Sequence, residues 1–304
     1  MKKFTVVHRV DINNVGDLAS NPLQYFLDRD EYDVIDIVDI DQQSYDSTLP
    51  LIIGGGGLIN NDFFGDTLRN LLISADYNQL MQLWQQRWTL CDSANEDLHT
   101  EFLEQYQQFI KHYVDKLNTT KAKRFLWGIG HNGDVNRKKP QSVTYPSWLS
   151  DFDLIGVRDF KQNLPWVPCA SCMHPALHKK YEIKNDVIWF EHKKQIIKDF
   201  GSDSIPRFVN SGSNIDQTIE LLGSANVILT NSYHGAYWGT LLGKKVIVVG
   251  PWSSKFYLMR HQPVLISADD NWKAAVDKSK LYPDALDECV AATEKFWNKI
   301  KEQI

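Results

Sequence analysis

Long apolar runs are missing from this 304-residue chain: no stretch approaches the roughly 18 residues that a membrane-spanning helix needs. Cysteine is scarce as well. Four in 304 residues are too few for a disulfide framework, so the cytoplasm is the default expectation. An excess of one charge is also lacking. Thirty-three lysines and arginines stand against 38 acids, a formal −5, with no dense basic stripe interleaved with aromatics, which argues against nucleic acid. The opening MKKFTVVH has two lysines before a short apolar run, but Asp11 and Asn13 end it too early for a signal peptide. What is present, 43% apolar and 23% charged residues, suits a globular protein of two ordinary domains or one large one. Ten tryptophans and twelve tyrosines suit a carbohydrate surface, but they suit a plain core equally.

Strand-like and helix-like segments alternate. FTVVH at 4–8, YDVIDIVDI at 32–40, LII at 51–53, RFLWGIG at 124–130 and DLIGV at 153–157 read as strands. VGDLASNPLQYFL reads as a loop entering a helix. Leu80, Leu83, Trp84 and Trp88, then Leu98, Phe102, Tyr106, Phe109, Tyr113 and Leu117, recur at helical spacing. From about residue 165, PWVPCASCMHPAL reads as a linker or inter-domain loop. A second alternating set follows in DVIWFEH, IPRFVN, NVILTN and KKVIVVG, with a helix over 215–223 packing through Ile215, Ile219 and Leu222. The tail carries Leu286, Val290, Thr293, Trp297, Ile300 and Ile304 as one apolar helical stripe, to be buried on its own domain or across on the first. The pattern predicts an α/β protein of two Rossmann-like domains facing a cleft, residues 1–164 and 165–304.

The chemistry-bearing residues cluster where strands end. His234 follows the strand NVILT and opens a helix, at the carboxyl edge where open α/β sheets bind ligands. Asn231, Ser232 and Tyr233 surround it with donors, Gly235 leaves its flank open, and the helix start favours an anion and a neutral ring. A ring that only caps or packs is the plainer reading. Ser253, Ser254 and Lys255 follow the next strand, where the lysine can neutralise a phosphate. Arg158 ends the strand before it with a rigid fork suited to carboxylate or phosphate, or pairs with Asp159 or Asp153. Gly54 to Gly57 end another strand, either as an anion cradle or as a bare turn, and their spacing is not the dinucleotide fingerprint. Asn60, Asn61 and Asp62 offer polar contacts to a sugar just beyond. His131 and Asn132 follow a strand in the same way, and Asp17 either faces the crevice or caps a helix. Cys169, Cys172, His174 and His178 lie close in sequence, but their spacing is not a standard zinc pattern and leaves little chain to wrap a metal. No metal is expected. Cys172 or His174 on the cleft wall, or buried packing cysteines, remain the readings.

In order along the chain, Val15-Gly16-Asp17, Gly54 to Gly57, Gly128 to Gly130, Val157-Arg158-Asp159 and Tyr233-His234-Gly235 resemble the motif series of the polysaccharide pyruvyl transferase family. The resemblance runs from about residue 13 to 256. It implies a fold similar to the glycosyltransferase B arrangement, with the first domain on the acceptor side and the second, with a terminal helix able to cross back, on the donor side. The implied reaction moves the enolpyruvyl group of phosphoenolpyruvate onto a sugar of a polysaccharide or its precursor, forming a pyruvate ketal without a cofactor. By that likeness His234, Arg158 and Asp17 are catalytic. Ser232, Tyr233, Gly235, Ser254 and Lys255 meet the donor, while Gly55, Gly56, Asn60, His131, Asn132 and His174 meet the acceptor. Ser232 stands where many members carry an arginine, which leaves Lys255 or Arg260 to compensate.

Two other functions fit the layout: a glycosyltransferase using a nucleotide sugar, with FVNSGSN at 208–214 as the base-and-ribose pocket, and a non-catalytic sugar-binding relative. The polar stretch 131–148, with Arg137, Lys138 and Lys139, reads as an acceptor-side lid or an exposed loop. The expected partners are phosphoenolpyruvate and a glycan or lipid-linked sugar. The expected location is the cytoplasm, at most peripheral to the inner face of the membrane, and a homo-oligomer is compatible.

Overall fold

The computed structural model describes residues 1–10, 13–37, 46–58, 121–132, 143, 145, 147–197, 200 and 204–304. The two helical patterns expected between residues 80 and 117, the polar trio Asn60, Asn61 and Asp62, and the basic triplet Arg137 to Lys139 lie outside the described residues.

Two parallel sheets carry the molecule. The first contains β1 (Phe4–His8), β2 (Tyr32–Asp36), β3 (Leu51–Gly54), β4 (Arg124–Ile129) and β5 (Leu154–Val157), in the order β2-β1-β3-β4-β5. The second contains β6 (Asn185–His192), β7 (Arg207–Asn210), β8 (Ala225–Thr230), β9 (Lys245–Val249) and β10 (Val264–Ile266), in the order β10-β9-β8-β6-β7. Read from the second strand of each set, both sheets follow one order, 2-1-3-4-5. All ladder pairs are parallel, so the carboxyl ends of all five strands share one edge in each sheet. Strands covered on both faces need continuous apolar runs, and β1, β3 and β8 supply them: β1 and β3 are buried throughout.

The helices are short where the chain forbids more. Helix α1 (Val15–Ala19) is capped by Asn14, whose side chain accepts from the Gly16 N–H. It stops three residues before Pro22, and a separate 3-10 turn, Leu23–Tyr25, follows the proline. Helix α2 (Ile215–Gly223) is capped by Asn214 and buries Ile219 and Leu222, with Ile215 half-buried against the same cluster. Helix α3 (Tyr233–Leu241) is buried on every side, as an apolar all-round helix must be. Helix α4 (Trp272–Val276) is short, and α5 (Ala285–Lys301) closes the chain.

The stretch expected as a linker is no exposed tether. Residues 169–172 are buried; the 3-10 turn Ala170–Met173 packs on α5 and the turn Pro175–His178 on α2. Each lobe also lends a helix to the other. Val15 and Ala19 of α1 join the apolar cluster of the second lobe, around Trp238, Phe190 and Ile228. In return α5 sets Phe296, Trp297 and Ile300 among Phe4, Val6, Ile52 and Trp127 of the first sheet. Trp127 stacks on Trp297 and meets Phe296 edge-on, at centroid distances of 5.8 and 5.4 Å. The buried face of α5 is Ala285, Cys289, Thr293, Phe296, Trp297 and Ile300. It is turned from the stripe read in the sequence: Leu286 and Val290 sit at its margin and Ile304 lies beyond the helix, exposed. Spacings of four, four and three or four keep a 3.6-residue face, and the first sheet selects which face that is.

Phe296 is 4% exposed and fills the space between Trp127 and Gly156. Phe296→Ala is expected to cost about 3–5 kcal/mol of folding stability, from lost transfer energy plus a residual cavity. Urea denaturation followed by tryptophan fluorescence checks this through the Trp127–Trp297 stack.

Candidate functional site

In a parallel sheet of order 2-1-3-4-5 the chain leaves its first and third strands in opposite directions, and the carboxyl ends of those strands open a crevice. The crevice lies between β1 and β3 in the first sheet and between β6 and β8 in the second. The two face one another across a cavity of about 110 Å3. The first lobe lines it with Arg9, Asn14, Asp17, Gly56, Gly57 and Asn132, and the second with His192, Lys193, Lys194, Trp252 and Lys255. Among its described lining residues an arginine and three lysines stand against one carboxylate, a lining that suits an anion. Arg9 is itself paired with Asp36, and Lys255 lies 3.7 Å over the Trp252 ring.

His234 stands where α1 of the first lobe meets α3 of the second. A Cβ added to Gly16 would lie 2.0 Å from His234 Nδ1, so only glycine lets the two helices meet there. The ring is 7% exposed, packed at 4.9 Å from Trp238 and edge-on to Tyr233. Burial, then the cations Arg158 and Lys255, push its pKa down to about 3, leaving it neutral at ordinary pH. Arg158 follows β5 and is 5% exposed. Its guanidinium lies 4.0 Å over the Tyr233 ring, its Nε has no hydrogen-bond partner, and no carboxylate among the described residues forms an ion pair with it. Neighbouring Asp159 instead accepts from the His131 N–H at 2.8 Å and the Tyr145 hydroxyl at 3.0 Å. Burial outweighs Arg158 and these bonds, raising Asp159 to about 6. A buried guanidinium with spare donors is an incomplete ion pair, and an anionic ligand completes it.

No protein-family model and no curated protein matches this chain. Among solved structures it is similar to a functionally uncharacterised protein from Klebsiella pneumoniae subsp. pneumoniae NTUH-K2044, at 16% identity over 82% of this chain and 83% of that one, with a TM-score of 0.38. That likeness is too distant to bear on the chemistry.

Of the residues singled out in the sequence, Asp17, Gly56, Asn132 and Lys255 line the cavity, and His234, Tyr233 and Arg158 form one buried group, of which Tyr233 and Arg158 line a second, smaller pocket. Asp17 does not cap α1; Asn14 does, and its Nδ2 donates to Asp17 at 2.8 Å. His131 and Asn132 tie the lobes together: His131 Nδ1 is 2.6 Å from Ser254 Oγ, and Asn132 Oδ1 accepts from Ser253 Oγ at 2.7 Å. Gly55 is packed on Ser20, whereas Gly56, at φ +87°, turns the chain into the cleft in a conformation that glycine alone adopts freely. Ser232 is held by Asn210 Nδ2 at 2.9 Å, and Asn214 caps α2. Gly235 does not open the flank of His234. It presses α3 onto the sheet, where an added Cβ would lie 2.6 Å from Phe190 and Thr230. His174 sits apart, capping a 3-10 turn and edge-on to Tyr25. Cys172 Sγ lies 3.3 Å from Thr293 Oγ1 on α5. Arg260 is paired with Glu288 at 2.7 Å and held between Phe160 and Trp166.

Sequence reading missed His8, Arg9 and the run His192 to Lys194. Their signal was present: the first strand of each set ends in a histidine followed at once by a cation, HR at 8–9 and HKK at 192–194. Recognising it required knowing that β1 and β6 hold equivalent places in the two sheets. His8 is 3% exposed, its Nδ1 has no partner, and burial pushes its pKa down to about 4.

Two predictions follow from these environments. His8 and His234 bind protons in the unfolded chain near pH 6.5 but in the folded protein only near 4 and 3. Folding stability is therefore full above pH 6.5 and falls as the pH drops, by about 1.4 kcal/mol per pH unit for each ring. Asp159, at about 6 folded against 3.8 unfolded, takes up its proton first in the folded state and opposes one of them below pH 6. Urea midpoints at pH 7 and pH 5 are expected to show a loss that grows by about 1.4 kcal/mol in Asp159→Asn. Gly16→Ala is expected to lower the melting temperature even though alanine gains about 1 kcal/mol in helix propensity, because its methyl group displaces the His234 ring.

Proposed function

We propose that this protein is a polysaccharide pyruvyl transferase, moving the enolpyruvyl group of phosphoenolpyruvate onto two hydroxyls of a sugar. The observation that carries the reading is buried Arg158, which has no ion-pair partner among the described residues and shares the Tyr233 ring with neutral His234, next to a cavity lined by Arg9, Lys193, Lys194 and Lys255. Phosphoenolpyruvate brings a carboxylate and a phosphate, charges that complement this set of cations. In the reaction C3 gains a proton, a sugar oxygen bonds to C2, a second oxygen follows, and the C2–O bond to phosphate breaks. Of the two hydroxyl protons released, one balances the proton on C3 and the other leaves with phosphate. Asp17, the carboxylate in the cavity, takes the role of base for the attacking hydroxyl. Arg158 holds the carboxylate of the donor and His234 contacts its phosphate, both as preorganised groups in a poorly solvated place. Ser232, in the position where the family often has arginine, is bound to Asn210, and the cations of the rim take over that charge. The lobes read as a glycosyltransferase B arrangement, with the return of α5 to the first lobe in support. Among the described residues no helix is long and apolar enough to cross a membrane. A sugar on a soluble glycan or on a lipid-linked precursor is the acceptor in this reading.

Release of inorganic phosphate from phosphoenolpyruvate, assayed with a panel of sugars, tests the proposal. Acceptor-dependent release is expected, reduced at least about 100-fold in both His234→Ala and Arg158→Ala. No release with any sugar, together with binding of a nucleotide sugar, would assign the cleft to glycosyl transfer instead.

A further inference from the structure

The side chains behind His234 form a directed chain of hydrogen bonds. Trp238 Nε1 lies 3.0 Å from Ser171 Oγ, and an indole N–H only donates, so the serine oxygen accepts there. The other side-chain partner of Ser171 Oγ is Cys169 Sγ at 3.2 Å, which receives the hydroxyl proton; the Ser171 backbone N–H also points to that sulfur. With its acceptor side occupied by Ser171, the thiol has one remaining neighbour for its own hydrogen. That neighbour is His234 Nε2, at 3.6 Å. Burial raises the thiol pKa and lowers that of the imidazole, so the pair is thiol and neutral ring, not thiolate and imidazolium.

We infer that Cys169 is a positioning residue that fixes the tautomer of His234, holding Nε2 as an acceptor and placing the single ring proton on Nδ1. Nδ1 is the edge of the ring against Gly16, one residue from Asp17 of the cavity, and no group among the described residues hydrogen-bonds to it. A neutral ring held this way donates to an oxygen of an anion and does not remove a proton. Resting on the pyruvyl reading, this makes His234 the donor to the phosphate of phosphoenolpyruvate and leaves proton abstraction to Asp17. The tautomer itself does not depend on that reading. The cysteine expected to be a packing residue thus acts through the histidine in front of it.

Long-range proton–nitrogen correlation spectra of protein labelled with nitrogen-15 histidine distinguish protonated from bare ring nitrogens, and His234→Gln assigns the signal. At pH 7 the wild type is expected to show Nδ1 protonated and Nε2 bare. Cys169→Val, close in volume but without a donor, is expected to move the proton to Nε2 or mix the two forms, and Cys169→Ser to restore Nδ1–H. If the valine variant does not fold, Cys169→Ala makes the same test, because it also removes the donor facing Nε2. Nε2–H in the wild type, or an unchanged Nδ1–H in the folded variant tested, would overturn the inference. In phosphate release, Cys169→Val is expected to raise KM for phosphoenolpyruvate about tenfold while Cys169→Ser stays near wild type. The spectra stand whether or not phosphate is released, so failure of the tautomer and failure of the pyruvyl reading are told apart.

Discussion

The approach of α1 to α3, Gly16 against His234, sets the geometry of everything around the cleft. Without a side chain on Gly16 the first lobe settles directly on the second, and the His234 ring is sealed between them. That contact sets how far apart the two carboxyl edges stand, and it removes the water that would keep the imidazole basic. The two lobes are then locked by exchange: α1 lies in the apolar cluster of the second lobe and α5 in that of the first. Ties from His131 to Ser254 and from Asn132 to Ser253 close the far side. The cavity lies between these contacts.

Its electrostatics follow from the same burial. An arginine taken out of water without a carboxylate is costly, and the face of Tyr233 offsets only part of that cost. Asp159 feels Arg158 and accepts from His131 and Tyr145 through Oδ2, and burial outweighs all three, raising it to about 6. The local sum is a positive, dry wall beside a basic rim. A small molecule with two negative groups at opposite ends is what the proposal asks it to hold.

Much of this was legible in the chain. Alternating apolar runs and glycine-ended strands announced two parallel α/β units, because strands covered on both faces must be apolar throughout, as β1 and β3 are. His234, Arg158, Asp17 and Lys255 stood out because each follows a strand, and in a parallel sheet that places them at one edge. The roles of several neighbours were not legible. Gly235 and Ser232 are spent on packing and on Asn210, and His174 on a 3-10 turn, since local sequence does not say which face of a short helix meets the sheet. The stripe of α5 was rotated for the same reason: Cys289 is buried in the cluster of its own lobe, whereas Phe296 is buried because the first sheet, from the other lobe, lies over it.

By itself the sequence determined the local states: which runs are strands, where helices begin under Asn14 and Asn214, and that positively charged side chains follow the strand ends. Those depend on neighbours a few residues away. Tertiary structure alone decided that HR after β1 and HKK after β6 face one cavity, that Gly16 meets His234 across 218 residues of chain, and that Cys169 stands behind the imidazole. These are long-range contacts set by the 2-1-3-4-5 order of two sheets and by the exchange of helices between them, and no periodicity within a segment encodes such an order.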